Sequence, residues 1–186
     1  MFSLKTRIVD TLEPDPDGHE CDSISGFVDV MFGDHRLDLY YHENPLRNDE
    51  IGMEAVEWWI ELFLMCADLI STTKYIAFVE PDTQYNWIEF ELSGEIINVH
   101  LSENRCGQTH KTHLYEKSME IEFVRNATIQ INYVTFVKEV VRATKFFLTE
   151  IEAINHSVLK TNMIYKMIKR VNRIMENLII IKNSSS

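Results

Sequence analysis

Residues 50–70 impose the strongest constraint in this chain. Wrapped as a 3.6-residue helix, Ile51, Val56, Trp59, Ile60, Phe63, Cys66 and Ile70, with Ala55, Trp58, Leu62 and Leu69, cover most of the circumference, while the acids at 50, 54, 57, 61 and 68 fall on one stripe. A helix with so little polar surface has to be buried on most sides, leaving one wet acidic edge. The rest of the chain must therefore supply layers to cover it. Asn48 or Asp49 is placed to cap this helix, and Asp49 and Glu50 suit the positive end of its dipole.

The covering layers read as strands. Residues 2–9 form a first one, followed by a loop over 10–22 rich in acids, Pro and Gly. Residues 24–32 alternate and turn at Gly33-Asp34 into a second alternating run over 36–42, the pattern of a β-hairpin. Residues 75–79, 86–92 and 96–101 follow, with turns at 81–84 and at Ser93-Gly94. Residues 102–112 read as a polar loop, 114–124 as a strand, and Asn126 as a turn into a short strand over 128–131. Such dense antiparallel turn signals leave no room for the crossover helices of a parallel sheet.

From Asn132 the period becomes helical, with Val134, Val137, Val140, Val141, Thr144, Phe147, Leu148 and Ile151 marking a stripe. After a break at 155–162, Ile164, Ile168, Val171, Met175 and Leu178 form a heptad-like seam. The expected fold is α+β: an antiparallel, meander-like sheet of about six or seven strands, packed by one inserted helix (about 50–70) and two C-terminal helices. Residues 1–182 form a single domain, with an acidic sheet part over 1–131 and a helical part over 132–182. Residues 183–186 form a disordered tail.

Charge narrows the partner class. The chain carries 29 Asp and Glu against 18 Lys and Arg, net −11. Residues 1–130 hold 25 acids against nine basic residues, net −16, whereas residues 156–186 carry a net +5. The acidic body argues against nucleic acid, whose phosphates need a surplus of Lys and Arg, and favours a basic protein partner. The basic last helix is expected to pack near the acidic body; its seam docks on the core or pairs with a second copy, a possible homodimer. The apolar stretches are far shorter than the roughly 20 residues of a membrane span. No secretory h-region follows Met1, and the three cysteines are too widely spaced for a disulfide framework, which fits a soluble, cytoplasmic protein.

Catalytic signatures are scarce. Cys106, His110 and His113 form the densest group of potential metal ligands, with His100 on a neighbouring strand, but no second Cys or His pair completes a zinc site. The same loop can be read as a Cys-His nucleophile in an unfavourably negative setting. Residues 15–22 fail the EF-hand order, and phosphate-binding, nucleophile-elbow and zincin motifs are absent. The expectation is no enzyme, no cofactor and no metal; a metal-dependent or Cys-His enzyme at Cys106, His110 and His113 stands as the alternative.

The acids suggest a surface. Asp29, Asp38, Glu89, Glu91, Glu120 and Glu122 all fall opposite the regular apolar positions of their strands, in phase with Tyr40 and Trp87. If the strands share one sheet, these eight side chains line one face, where charge steers a basic partner and the aromatics anchor it.

Two segments carry a family resemblance: Tyr85-Asn86-Trp87-Ile88-Glu89-Phe90, and Tyr133-x2-Phe136-Val137-Lys138-Glu139-Val140 with Phe146-Phe147-Leu148-Thr149-Glu150-Ile151. The chain resembles bacterial polymorphic-toxin immunity proteins, over less than a fifth of its length. The resemblance implies a small intracellular α+β protein without an active site. It would bind a cognate toxin domain, often a basic nuclease, and block its active site or substrate groove. No binding residues carry over.

Overall fold

The computed structural model describes residues 1–9, 12–13, 23–37, 39–47, 50–81, 83, 85–104, 114–115 and 123–184. Its elements, in chain order, are β1 (Phe2–Ile8), β2 (Ser25–Phe32), β3 (His35–Arg36), β4 (Glu54–Ala55), α1 (Val56–Thr73), β5 (Tyr75–Val79), β6 (Asn86–Ser93), β7 (Ile96–Asn104), β8 (Leu114–Tyr115), β9 (Phe123–Asn132), α2 (Tyr133–Asn155), a 3-10 turn (His156–Lys160) and α3 (Asn162–Ser184). The fold is α+β with antiparallel pairing throughout, one inserted helix and two C-terminal helices.

The strands divide between two sheets where one was expected. The first has the order β1-β2-β3, with β4 also paired to β2; the second has the order β8-β5-β6-β7-β9. The separation follows from α1, which leaves β4 and enters β5 and so carries the chain from one sheet to the other. Gly33 and Gly94 turn the hairpins β2–β3 and β6–β7 with positive φ values of 63° and 61°, a conformation other residues adopt at a cost.

The inner faces follow the sequence alternation. Phe2, Leu4 and Ile8 of β1, Val28, Val30 and Phe32 of β2, and Ile76, Phe78, Ile88, Phe90, Ile97 and Val99 of the second sheet enter one core. Phe63 of α1 sits at its centre. Its ring lies 5.3 Å from Phe2, 5.3 Å from Phe78, 6.1 Å from Trp59, and 6.3–6.5 Å from Phe32, Phe90 and Phe136. Phe32 and Phe90 also touch directly across the sheets at 6.0 Å.

The helix itself starts six residues later than expected, at Val56, with Ala55 before it and no side-chain cap. The preceding residues are taken by β2: Met53 N–H donates to the Gly26 carbonyl, Glu54 and Ala55 pair with Gly26 and Ser25, and Val56 N–H donates to the Ile24 carbonyl. This crossing needs two glycines, because a Cβ at Gly52 would run into the Gly26 backbone and one at Gly26 into the Arg7 carbonyl. The acidic edge is not wet either. Glu57 is buried and accepts from Ile24 N–H at 2.9 Å, Glu54 accepts from Trp59 Nε1 at 2.9 Å, and Asp68 is buried against arginines of α3.

Two further readings change. The turn at Asn126 is absent: residues 123–132 form one strand, and Asn126 Nδ2 donates sideways to Glu103 Oε1 at 2.7 Å. Asn126 is instead a bulge within β9: Leu101 pairs with Ala127 and Ser102 with Arg125, so the register shifts by one residue at Asn126. Asn132 ends β9 and caps α2, its side chain accepting from Thr135 N–H. The last helix runs to Ser184, into the stretch expected as a disordered tail.

The basic helix docks on its own body. Ile164, Met167, Val171 and Ile174 enter the core, with Ile168, Met175 and Leu178 packed beside them. Arg173 pairs with both oxygens of Asp68, and Arg170 reaches Asp68 at 3.5 Å and Glu61 at 3.8 Å. Helix α2 covers the open edge of β1 with side chains: Glu139 Oε1 accepts from Leu4 N–H at 3.1 Å, and Arg142 donates to the Leu4 carbonyl at 2.9 Å. An edge closed this way offers no template for pairing with another chain.

Phe63→Ala removes the ring through which α1 touches both sheets and α2. It should lower unfolding free energy by about 3–5 kcal/mol, measured by urea denaturation at neutral pH. A loss below about 1 kcal/mol would show that the core does not depend on this contact.

Candidate functional site

The face of the second sheet turned away from the helices carries most of the acids expected to be exposed. Cross-strand register puts Glu89 beside Ala77 and His100, His100 beside Thr128, Glu91 beside Tyr75, and Trp87 beside Ser102, itself beside Arg125. Period two aligns Tyr75, Trp87, Glu89, Glu91, His100 and Ser102 on one face, and the register shift at Asn126 brings both Arg125 and Thr128 of β9 to that face.

That face is largely closed. Trp87 is 1% exposed and packs with Ala77, Val79, Tyr75 and Phe123 in a second, small apolar cluster, its ring 5.4 Å from Phe123. Glu89 is also 1% exposed. Its Oε1 accepts from Ser102 Oγ at 2.6 Å and Arg125 Nε at 3.1 Å; its Oε2 accepts from Tyr75 OH at 2.8 Å and Arg125 Nη2 at 3.1 Å. Burial pushes this carboxyl up, and the hydrogen bonds from Arg125, Ser102 and Tyr75 outweigh it, holding the group below its ordinary 4.5. With four donors on two oxygens, Glu89 has no lone pair poised to take a proton from a substrate.

His100 gives no base of the usual kind. Burial, then the Arg125 charge, lowers its pKa from 6.5, so the ring is held neutral. Nδ1 lies 2.8 Å from Thr128 Oγ1, and Nε2 lies 3.7 Å from Glu91 Oε2, beyond hydrogen-bond length. Ser102 donates to Glu89 rather than to His100. These groups form an ion lock joining β5, β6, β7 and β9, without the geometry of a nucleophile and its base.

The other expected partner-binding residues scatter. Asp29 lies in the first sheet, buried, and pairs with Arg36 at 2.6 Å. Asp38, Glu120 and Glu122 lie outside the described residues, as do Cys106, His110 and His113. Only Tyr40 and Glu91 keep exposed side chains. The expectation of one acidic, aromatic sheet face is thus corrected in two respects: Asp29 belongs to another sheet, and Trp87 and Glu89 are internal. Among the described residues, no three His, Cys, Asp or Glu side chains come together as metal ligands, and no helix is long and apolar enough to cross a membrane. The Cys66 thiol is fully buried in the core, which pushes it well above its ordinary value.

Sequence reasoning overlooked a second surface. Among the described residues, five of the eleven exposed large hydrophobic ones fall within positions 40–58: Tyr40, Leu46, Ile51, Met53 and Trp58. Ile51 is 74% and Met53 63% exposed. Singly exposed apolar residues are ordinary, but a group of them marks an interaction surface. The segment is held, not loose. Arg7 Nη1 donates to the His42 carbonyl at 3.0 Å and the Asn44 carbonyl at 2.7 Å. Glu50 lies 2.5 Å from His42 Nε2 and accepts from Arg47 N–H at 3.1 Å and Tyr40 OH at 3.4 Å. Backbone and side-chain bonding from these partners holds the Glu50 carboxyl below 4.5. Phe27, on the outer face of β2, supports the rings of Tyr40 and His42 at 5.2 and 5.0 Å. Tyr40, His42, Asn44, Pro45, Arg47 and Glu50 line a shallow depression of about 370 Å³.

Comparison with family models, curated proteins and solved structures gives no match for this chain. Its own geometry is the basis for a functional reading.

The ion lock has a pH signature. Because Glu89 is held below 4.5, its contribution to stability is complete above that pH and is lost as acid protonates it in the folded protein. Glu89→Ala should cost about 3 kcal/mol at pH 7, the low end for a broken buried pair because half-exposed Arg125 can turn to water. Urea titrations between pH 7 and pH 3 should show a shallower acid limb for this variant than for the parent chain.

Proposed function

We propose that this chain is a stoichiometric binding protein for a cationic protein domain, acting as a bacterial immunity protein acts on its toxin: by covering a surface, without catalysing a reaction. The observation that carries this reading is the ordered apolar group at 40–58. An anchor side chain contributes most when it is already held in its bound position, since the cost of ordering is then met before association. The hydrogen bonds from Arg7 and Glu50 supply that order. Ile51, Met53 and Leu46 supply apolar contact, and Tyr40 is an amphipathic ring of the kind enriched at interface centres.

Charge selects the partner. The chain has a net charge of −11, and the exposed carboxylate of Glu43 borders the apolar group. An acidic body attracts a cationic domain over a Debye length of about 10 Å at 0.1 M salt, raising the encounter rate more than the final affinity. The buried acids Asp29, Glu57, Glu89 and Asp68 are matched by internal partners, so the field outside comes from exposed acids such as Glu43, Glu91, Glu95 and Glu103.

The test pairs the purified chain with candidate cationic protein domains. One-to-one binding that weakens as salt rises is expected by calorimetry. Ile51→Asp combined with Met53→Asp alters two exposed side chains and should leave the unfolding midpoint unchanged while weakening binding by about 100-fold or more. Parental affinity in that variant would overturn the assignment of the surface, and enzymatic turnover of the partner would overturn the class.

A further inference from the structure

One titratable group stands outside both sites. Glu150 on α2 lies on the same helix face as Glu139, eleven residues away, and does the same job at the other end of β1. Glu139 accepts from Leu4 N–H and Glu150 from Ile8 N–H. Their charges are treated differently. Arg142 holds Glu139 through two bonds of 2.7 and 2.8 Å. Glu150 has no such partner among the described residues, and its Oε2 is buried without a hydrogen bond. The charged or titratable groups that face it are Arg7 of β1, which acts on it through its charge, and Tyr41 of the 39–47 segment, on which Glu150 acts in turn. Glu43, Asp29 and Lys5 also act on Tyr41.

Arg7 connects this group to the proposed docking surface, because the same guanidinium holds the His42 and Asn44 carbonyls. We propose that Glu150 is a proton-controlled latch on the 39–47 segment. With its carboxyl protonated, Arg7 stays on the two carbonyls and the segment is held; once the carboxyl ionises, it draws Arg7 towards itself and the segment loosens. The biological meaning of this latch rests on the binding function proposed above, since it would make partner docking sensitive to pH; the latch itself does not.

Burial raises the Glu150 carboxyl from 4.5 to about 7, against the lowering effects of Ile8 N–H and Arg7. The transition therefore falls near neutral pH. A group raised in the folded state favours folding below its unfolded value of 4.5, and that contribution is lost as pH rises through about 7.

The experiment is a nuclear magnetic resonance titration of the full chain, labelled with 15N and 13C, from pH 5.5 to pH 8.5. The Arg7 Nε and the His42 and Asn44 carbonyl carbons should move with a midpoint near 7, and amide exchange over residues 39–47, corrected for intrinsic rate, should speed up by as much as about tenfold per pH unit below that midpoint and level off above it. Glu150→Gln keeps an acceptor for Ile8 N–H and removes the charge. It should abolish the Arg7 movement and the change in exchange. Arg7→Gln should show the loosened segment at every pH. Identical titrations in the parent chain and Glu150→Gln would overturn the latch, as would a segment that stays protected in Arg7→Gln. No partner enters these measurements, so the latch and the binding function can fail independently.

Discussion

The ring of Phe63 meets aromatic side chains from β1, β2, β5, β6 and α2, together with Trp59 on its own helix. Strand pairing joins β1 to β2 and β5 to β6, but no strand pairing joins one sheet to the other. Their common attachment is apolar burial against one helix, with tilted and edge-on ring contacts that add modestly to the area term. Once α1 is buried this way, its polar stripe has to be satisfied internally. That requirement brings Arg170 and Arg173 to Asp68 and places Ile24 N–H on Glu57. The basic charge of α3 is thus partly explained by what α1 must bury.

The same accounting changes the meaning of the net charge. A buried acid fixed by an arginine or by backbone donors contributes to specificity and to the pH profile, and little to the field at a distance. Four of the acids in the body are of this kind. What remains outside includes Glu43 beside the apolar segment and Glu91, Glu95 and Glu103 on the β6–β7 hairpin. The arrangement suits a protein that attracts a cationic partner broadly and then holds it at a few apolar positions.

Much of the architecture was legible in residue patterns. The inserted helix, its burial, the hairpin turns at Gly33 and Gly94, and the change of period at Asn132 all follow from local chemistry that tertiary contacts leave intact. The helix start was not legible, because residues 50–55 carry helical spacing yet are captured by β2 through backbone hydrogen bonds, and only the tight crossing of Gly26 and Gly52 hints at it. The phase of Trp87, Glu89 and Glu91 was read correctly, and so was the exposure of Glu91; that of Trp87 and Glu89 was not. Alternation says which face a side chain takes, and says nothing of what else fills that face. On β6, a central strand, Phe123 covers Trp87 and Arg125 neutralises Glu89. Arg7 was unremarkable in the sequence, since its role depends on carbonyls 35 and 37 positions away.

The central functional claim is that contact is made through residues 40–47 and 50–58 and not through the outer face of the second sheet. Hydroxyl-radical footprinting of the complex with its cationic partner tests it most directly, because both surfaces carry aromatic and sulfur-containing or polar side chains that report solvent contact. Protection at Tyr40, Leu46, Ile51, Met53 and Trp58, with Tyr85 and Phe123 unchanged, is the expected result. Protection centred on Phe123 and Tyr85, with Met53 and Ile51 still reactive, would contradict it.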